Sequence, residues 1–167
     1  MSDVLSIIPQ RARWSQVKER AELLTAAYST PPIPVVEIAE GSGVQVVLAD
    51  FGNYRNKVAG FCDFNDAKLF VNQEDIRVRQ MFTIAHELGH WVLHRDIFKQ
   101  QPEAYPVLPR FQNAEPGDVL EQEANSFAAH LLVPRRLLQP ILNAPVSVLA
   151  SIFQVSKTMM EFHLKNV

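Results

Sequence analysis

The chain has 167 residues, enough for one domain with a buried core. With 47% hydrophobic and 20% charged residues its composition is that of an ordinary globular protein, and a net charge of −2 argues against a broadly basic surface for nucleic acid or anionic lipid. The single cysteine, Cys62, excludes an internal disulfide framework and a cysteine-based metal site. The sequence shows no signal peptide and no apolar run long enough to span a membrane, and we therefore expect a soluble, cytoplasmic protein.

The first half of the chain predicts two helices followed by three strands. Residues 1–13 lack periodicity, and we expect them to form a loosely held, flexible arm. Apolar spacing predicts the later elements, which are helices at 14–28 and 34–39 and strands at 44–48, 57–64 and 67–72. Asn65 and Asp66 suit a tight hairpin turn between the last two strands. Strands that precede a group of helices indicate an α+β fold with a small antiparallel sheet.

The stretch His86-Glu87-Leu88-Gly89-His90 lies in a predicted helix over residues 76–93. Two histidines one turn apart can bind one divalent metal, and a carboxylate beside the first can take a proton from an attacking water. On a helical wheel the polar side chains form one stripe, and the apolar ones cover the remaining surface. The polar stripe consists of Thr83, His86, Glu87, His90 and His94. We therefore predict a helix that is buried nearly all round, with this stripe facing a cleft. The alternative is a surface helix with two solvated histidines.

A third ligand is expected on a second helix, over residues 119–133. Glu121 lies at the margin of the apolar stripe of this helix, where a carboxylate needs a partner such as a cation. Asn125, one turn later, can accept a hydrogen bond from the free ring nitrogen of a ligating histidine. Glu123 is predicted to point to the other side, and it remains the alternative carboxylate ligand.

Other polar residues are less favoured as ligands. His94 follows His90 by one turn, and three ligands spaced evenly along a straight helix do not converge easily on one ion. We expect His94 to cap the helix or border the cleft, and His130 and His163 to be surface or packing residues. The proline-rich segment 95–118 has no sustained period, and it is either a lid over the site or an insertion without a role there. Tyr105 in this segment is a candidate for stabilising an oxyanion.

The last part of the chain predicts helices at 135–142, 146–153 and 157–165. The final two have the spacing of a helix-turn-helix, with Ser156 as the N-cap and Gln154 where glycine is common. The last helix offers few basic or amide side chains for reading DNA. A packing module that helps to hold a substrate is therefore favoured over DNA binding.

Three blocks of sequence, in this order, resemble the ImmA/IrrE family of metallopeptidases. They are His86-Glu87-Leu88-Gly89-His90-Trp91-Val92-Leu93-His94, Glu121-Gln122-Glu123-Ala124-Asn125-Ser126-Phe127-Ala128 and Leu131-Leu132-Val133-Pro134. The resemblance covers roughly residues 81–134. It implies a gluzincin-like peptidase with His86, His90 and Glu121 as metal ligands and Glu87 as the base. It also implies cleavage of helix-turn-helix repressors in stress response, in mobile-element control or in toxin–antitoxin operons.

We therefore expect a zincin-like α+β metallopeptidase domain over residues 1–143 and a helix-turn-helix-like pair over 144–167. One divalent ion, zinc or alternatively manganese, would bind between the two ligand helices. The protein would hydrolyse a peptide bond in a partner repressor. The alternatives are a non-proteolytic metal-binding sensor or interaction module acting on the same partner, and a DNA-binding regulator.

Overall fold

The computed structural model describes residues 8–100, 107–111 and 118–167, with the backbone alone for 107–111. The helices are α1 (Trp14–Thr25), α2 (Val35–Gly41), α3 (Arg77–Gln100), α4 (Val119–Leu132), α5 (Arg135–Leu138), α6 (Val146–Phe153) and α7 (Lys157–Lys165). The strands are β1 (Gln45–Ala49), β2 (Val58–Asp63), β3 (Lys68–Asn72) and β4 (Val107–Phe111). Across these ranges, no helix combines the length and the apolar character that crossing a bilayer requires.

The four strands form one sheet in the order β1-β3-β2-β4, which confirms the α+β class. β2 pairs antiparallel with both β3 and β4, whereas β1 pairs parallel with β3. The expectation of an antiparallel sheet is therefore wrong for β1. The reason is the order of the strands. The β2–β3 hairpin places β3 beside β2, and β1 pairs with the other edge of β3, so that β3 lies between β1 and β2. Because β1 runs opposite to β2, it runs in the same direction as β3. At the hairpin turn Asp63 accepts bonds from the backbone of Asn65 and Asp66, while the positive φ of 52° falls on Ala67.

The helix that carries the histidines extends beyond its predicted end. α3 continues to Gln100, about two turns past the predicted limit at residue 93. The extension buries Ile97 and Phe98 against Leu120, and the ring of Phe98 stacks on Phe64 with centroids 4.2 Å apart. Together with β4, this helical extension corrects the expectation that residues 95–118 are irregular throughout.

α4 packs against both α3 and α1, and α3 in turn packs against β2 and β3. Residues 83–91 of α3 are all buried, as expected for a helix covered nearly all round. One apolar core joins these elements to the C-terminal helices, to which Leu149, Phe153 and Met160 contribute fully buried side chains. The site-bearing helices are therefore fixed on several sides.

α6 and α7 begin and end where the sequence predicts. Ser156 caps α7 by accepting a hydrogen bond from the backbone of Met159 at 3.0 Å. Gln154 adopts a left-handed conformation, with φ of 57° and ψ of 45°, at the position where glycine is common. Its side chain donates to the carbonyl of Ser151, and this local bond helps to hold the turn. The division of the chain into two units at residue 143 stays a prediction.

Candidate metal centre

The centre of α3 brings His86 and His90 together on one face of the helix. They lie one turn apart, and their ring centroids are 4.9 Å from each other in an edge-on arrangement. Both side chains and that of Glu87 are buried. The apolar flanks of α3, including Ile84 and Leu88, pack into the core and so fix the direction of this polar stripe.

Glu121 approaches the two histidines from the first turn of α4. Its Oε1 lies 2.8 Å from His90 Nε2, and its Oε2 lies 3.1 Å from His86 Nε2. Asp118 caps α4 by accepting bonds from the backbone of Leu120 and Glu121, at 2.9 and 3.3 Å, which fixes where the helix begins. The Glu121 side chain is 13% exposed, so this carboxylate lies at the margin between core and solvent.

Gly89 allows the two helices to come this close. A Cβ at this position would lie 3.0 Å from Phe127 Cδ1 and 3.3 Å from the Cα of Ala124. The neighbouring atoms belong to α4, three to six residues after Glu121. The absence of a side chain at Gly89 therefore contributes directly to the distance between the histidines and the carboxylate.

The three side chains fit a divalent cation. One ligand atom from each of His86, His90 and Glu121 lies within 4.8 Å of the others. Asn125 Oδ1 lies 2.8 Å from His86 Nδ1 and accepts a hydrogen from it, which leaves Nε2 as the nitrogen directed at Glu121. Hydrogens can bridge the two Nε2 atoms and the carboxylate, and a cation can take their place, because two imidazoles with one carboxylate are a typical zinc donor set.

The charges around the centre shift the pKa values of the ligand side chains. Burial favours the neutral form of Glu121, but hydrogen bonds from His86 and His90 outweigh burial, and the pKa of Glu121 falls well below its usual range. Burial also opposes a charge on His90, but the bond to Glu121 and the nearby charges, including that of Glu87, raise the pKa of His90. The site therefore favours positive charge at the position where the three side chains meet.

His94 lies outside the three-residue cluster. It does not cap α3, which continues beyond it, so that part of the expectation is wrong. Its side chain is fully buried, with Nδ1 2.9 Å from His90 Nδ1 and Nε2 2.9 Å from Glu123 Oε1. Burial is the largest cause that lowers the pKa of His94. The polar stripe of α3 thus continues into the protein interior as a hydrogen-bonded chain.

The helical wheel predicts that Glu123 points away from α3, but its side chain contacts His94 of α3. It is fully buried between α3 and the start of α1, where Arg13 donates three hydrogen bonds to it. They come from the backbone N at 2.8 Å, from Nε at 2.9 Å and from a terminal guanidinium nitrogen at 2.9 Å. Burial opposes the charge of Glu123, but bonds from His94 and Arg13 lower its pKa to about 2.

Sequence reasoning missed Arg13, the last residue of the predicted loose arm. No spacing rule links a residue before α1 to a glutamate on α4, and only the packing of these two helices brings them together. Among the described residues, His130 and His163 are not part of the cluster. His163 lies against the backbone carbonyl of Val133 at 3.0 Å, and its ring contacts that of His130, in agreement with a packing role. Tyr105 lies outside the described residues.

Comparison with known proteins gives the same assignment as the sequence motifs. Residues 39–165 match the sequence model of the Peptidase M78 family, described as the IrrE N-terminal-like domain. No curated protein matches the chain. A solved structure of a Mycobacterium tuberculosis transcriptional regulator resembles it with a TM-score of 0.64 and 19% sequence identity. The likeness covers 89% of this chain and 54% of that regulator, so this chain spans about half the regulator's length. The match of the family model over most of the chain places this protein in the Peptidase M78 family.

Proposed function

We propose that the protein is a zinc-dependent endopeptidase that hydrolyses one peptide bond in a partner protein, with a helix-turn-helix transcriptional repressor as the substrate class. The observation that carries the proposal is the convergence of two buried imidazoles and one carboxylate at hydrogen-bond distances. Two nitrogen donors favour zinc over manganese, which prefers oxygen ligands. The family assignment to peptidases supports hydrolysis as the reaction.

In this proposal His86, His90 and Glu121 hold the ion. When bound, the ion would act as a Lewis acid that polarises a peptide carbonyl and acidifies water. Asn125 holds the ring of His86 through Nδ1, so that Nε2 is directed at the ion. Asn125 is exposed and Glu121 partly exposed, and a substrate would reach the site from their side.

Glu87 has the role of general base. It follows His86 on the polar face of α3 and is buried, and its charge influences both His90 and Cys62, which supports this role. Glu87 accepts the proton of the attacking water and transfers it to the leaving amine. Such proton transfer contributes about 100- to 10,000-fold to a rate.

The repressor substrate and the biological setting are supported by two resemblances. The fold resembles that of a transcriptional regulator, and the motif blocks resemble those of a family associated with cleavage of repressors. In this proposal, cleavage of the repressor controls a stress response, a mobile element or a toxin–antitoxin operon. The protein would act in the cytoplasm, where repressors bind DNA.

The proposal can be tested with zinc-loaded protein and the Glu87→Gln variant. New N-termini generated in a cell extract are labelled and identified by mass spectrometry for each protein. We expect a new N-terminus within a helix-turn-helix protein for the wild type, and its absence for E87Q with unchanged zinc content. The same N-termini for both proteins would contradict hydrolysis and favour a metal-binding sensor that acts without cleavage.

The ligand assignment has a separate test, based on metal content. Glu121→Ala should lose stoichiometric zinc, whereas Glu161→Ala, which changes an exposed glutamate of α7, should keep it. Glu123→Ala should retain more zinc than Glu121→Ala, because Glu123 acts through His94 and does not reach the ion itself. Loss of zinc from E123A but not from E121A would overturn the assignment.

A further inference from the structure

A buried chain of hydrogen bonds leads from the ring of His90 to the start of α1. His90 Nδ1 contacts His94 Nδ1 at 2.9 Å, and His94 Nε2 contacts Glu123 Oε1 at 2.9 Å. Glu123 ends the chain by accepting three bonds from Arg13. We refer to His94, Glu123 and Arg13 together as the relay.

The proton positions in the relay follow from its charged end. Glu123 is paired with a guanidinium and is therefore an ionised acceptor, so the hydrogen between it and His94 belongs to His94 Nε2. His94 Nδ1 is then an acceptor, and His90 Nδ1 must supply the hydrogen between the two rings. The Nε2 atom of His90, which lies 2.8 Å from Glu121 Oε1, is the nitrogen left to bind an ion.

We propose that the relay positions His90 and fixes its tautomer, and that it thereby couples metal affinity to the docking of α1 on α4. The proposal rests on the proposed function in one respect, namely that His90 is a metal ligand. Asn125 performs the corresponding task for His86 with a single side chain on the ligand helix α4. For His90 the task is spread over three residues from three helical segments, and it depends on a residue near the N-terminus.

The burial of the relay supports a specific role over incidental packing. His94 and Glu123 are fully buried, although burying two ionisable groups costs free energy relative to apolar residues of similar size. An apolar pair would fill the same space between α3 and α4. A buried polar pair whose hydrogen bonds end at a ligand nitrogen instead suits the positioning of that ligand.

His94 offers a matched pair of variants for the test. His94→Gln keeps an acceptor for His90 Nδ1, whereas His94→Leu removes it and leaves an apolar residue that suits a buried position. Zinc affinity is measured by competition with a chromophoric chelator, and stability is measured by urea unfolding of the metal-free proteins. We expect H94L to lose about 10- to 100-fold in zinc affinity and H94Q to lose clearly less. If His94 acted only through packing, the variant with the larger loss of stability would also show the larger loss of zinc affinity.

Arg13 provides the second arm, because its side chain is 36% exposed and its removal leaves the core intact. Arg13→Ala should weaken zinc binding by about tenfold, at the lower end of the range for partners of metal ligands, because the backbone bond to Glu123 remains. Arg11→Ala, which changes an exposed arginine two residues earlier, is the control and should bind zinc as the wild type does. Equal affinity for R13A and R11A would overturn the coupling to α1.

A third measurement does not require metal. Nitrogen-15 NMR of metal-free protein reports which ring nitrogen carries hydrogen, and we expect His94 to carry it on Nε2. A hydrogen on His94 Nδ1 would refute the relay, as would equal zinc affinity for H94Q and H94L. These results are separate from the proposed function, because a wild-type protein that cleaves nothing would contradict the peptidase and leave the relay unaffected.

Discussion

Gly89 provides the most direct test of how the approach of two helices sets the metal centre. In Gly89→Ala the new Cβ would lie 3.0 Å from Phe127 Cδ1 and 3.3 Å from both Phe127 Cβ and Ala124 Cα. Phe127 is fully buried, and Ala124 presents a backbone atom, so neither can give way freely. α4 would therefore have to move outward by a few tenths of an ångström, and Glu121 would move with it.

The expected magnitude combines two opposing effects. Alanine is favoured over glycine within a helix by about 1 kcal/mol, whereas overpacking a core costs about 1–3 kcal/mol. We therefore expect the G89A variant to be less stable than the wild type by about 0–2 kcal/mol. If about 1 kcal/mol of the strain is relieved by moving α4, zinc affinity should fall by about fivefold.

Gly41 supplies the matched control, because a Cβ at this position would meet no atom within 4 Å. Gly41→Ala should leave zinc affinity unchanged and be neutral or stabilising, by up to about 1 kcal/mol. Urea unfolding of the metal-free proteins and chelator competition give the two quantities for each variant. The reasoning is refuted if G89A gains as much stability as G41A and binds zinc as tightly as the wild type.

Gly60 also lies at a point of close approach, since a Cβ there would come within 2.5 Å of a β3 carbonyl oxygen and 2.6 Å of a threonine of α3. Gly60→Ala should lower the free energy of unfolding by about 1–3 kcal/mol in urea titrations, and no loss would contradict the packing. Met160 is fully buried in α7, so Met160→Ala should cost about 2–5 kcal/mol, whereas a cost below 1 kcal/mol would indicate that α7 is not part of the core. Burial is the main cause that lowers the pKa of His130 from 6.5 to about 4. Below pH 6.5 the unfolded chain therefore binds a proton that the folded chain does not, and stability should fall as the pH falls from 6.5 to 4. Urea midpoints should show a shallower fall for His130→Gln, and an unchanged slope would contradict this. Zinc at 100 times its dissociation constant should raise the free energy of unfolding by about 2.7 kcal/mol, and EDTA should reverse the gain. Glu121→Ala should respond to neither zinc nor EDTA, and a wild-type response in this variant would contradict its role as a ligand.

The sequence predicted those parts of the fold that depend on local pattern. α6 and α7 were predicted with their observed limits, because their apolar spacing and the Ser156 cap are local signals. The spacing of His86 and His90 within one turn of a helix is local as well. The partnership with Glu121 required one further assumption, that the two predicted helices face each other.

The remaining features depend on packing between elements distant in sequence. The parallel pairing of β1 with β3 follows from the insertion of a hairpin, which no residue of β1 encodes. A helical wheel considers α4 alone and therefore predicts Glu123 on the side away from α3, whereas in the folded protein Glu123 lies between α3 and the start of α1. Arg13 and Glu123 are 110 residues apart, and their contact arises only when α1 packs on α4.

The shared apolar core has a consequence for dissecting the protein. Leu149, Phe153 and Met160 occupy the same continuous interior as the buried flanks of the histidine helix. A fragment ending at residue 143 would leave that interior open on one side, and we expect it to aggregate or to be degraded when expressed. A shortened chain that keeps the candidate metal centre should therefore extend to residue 165.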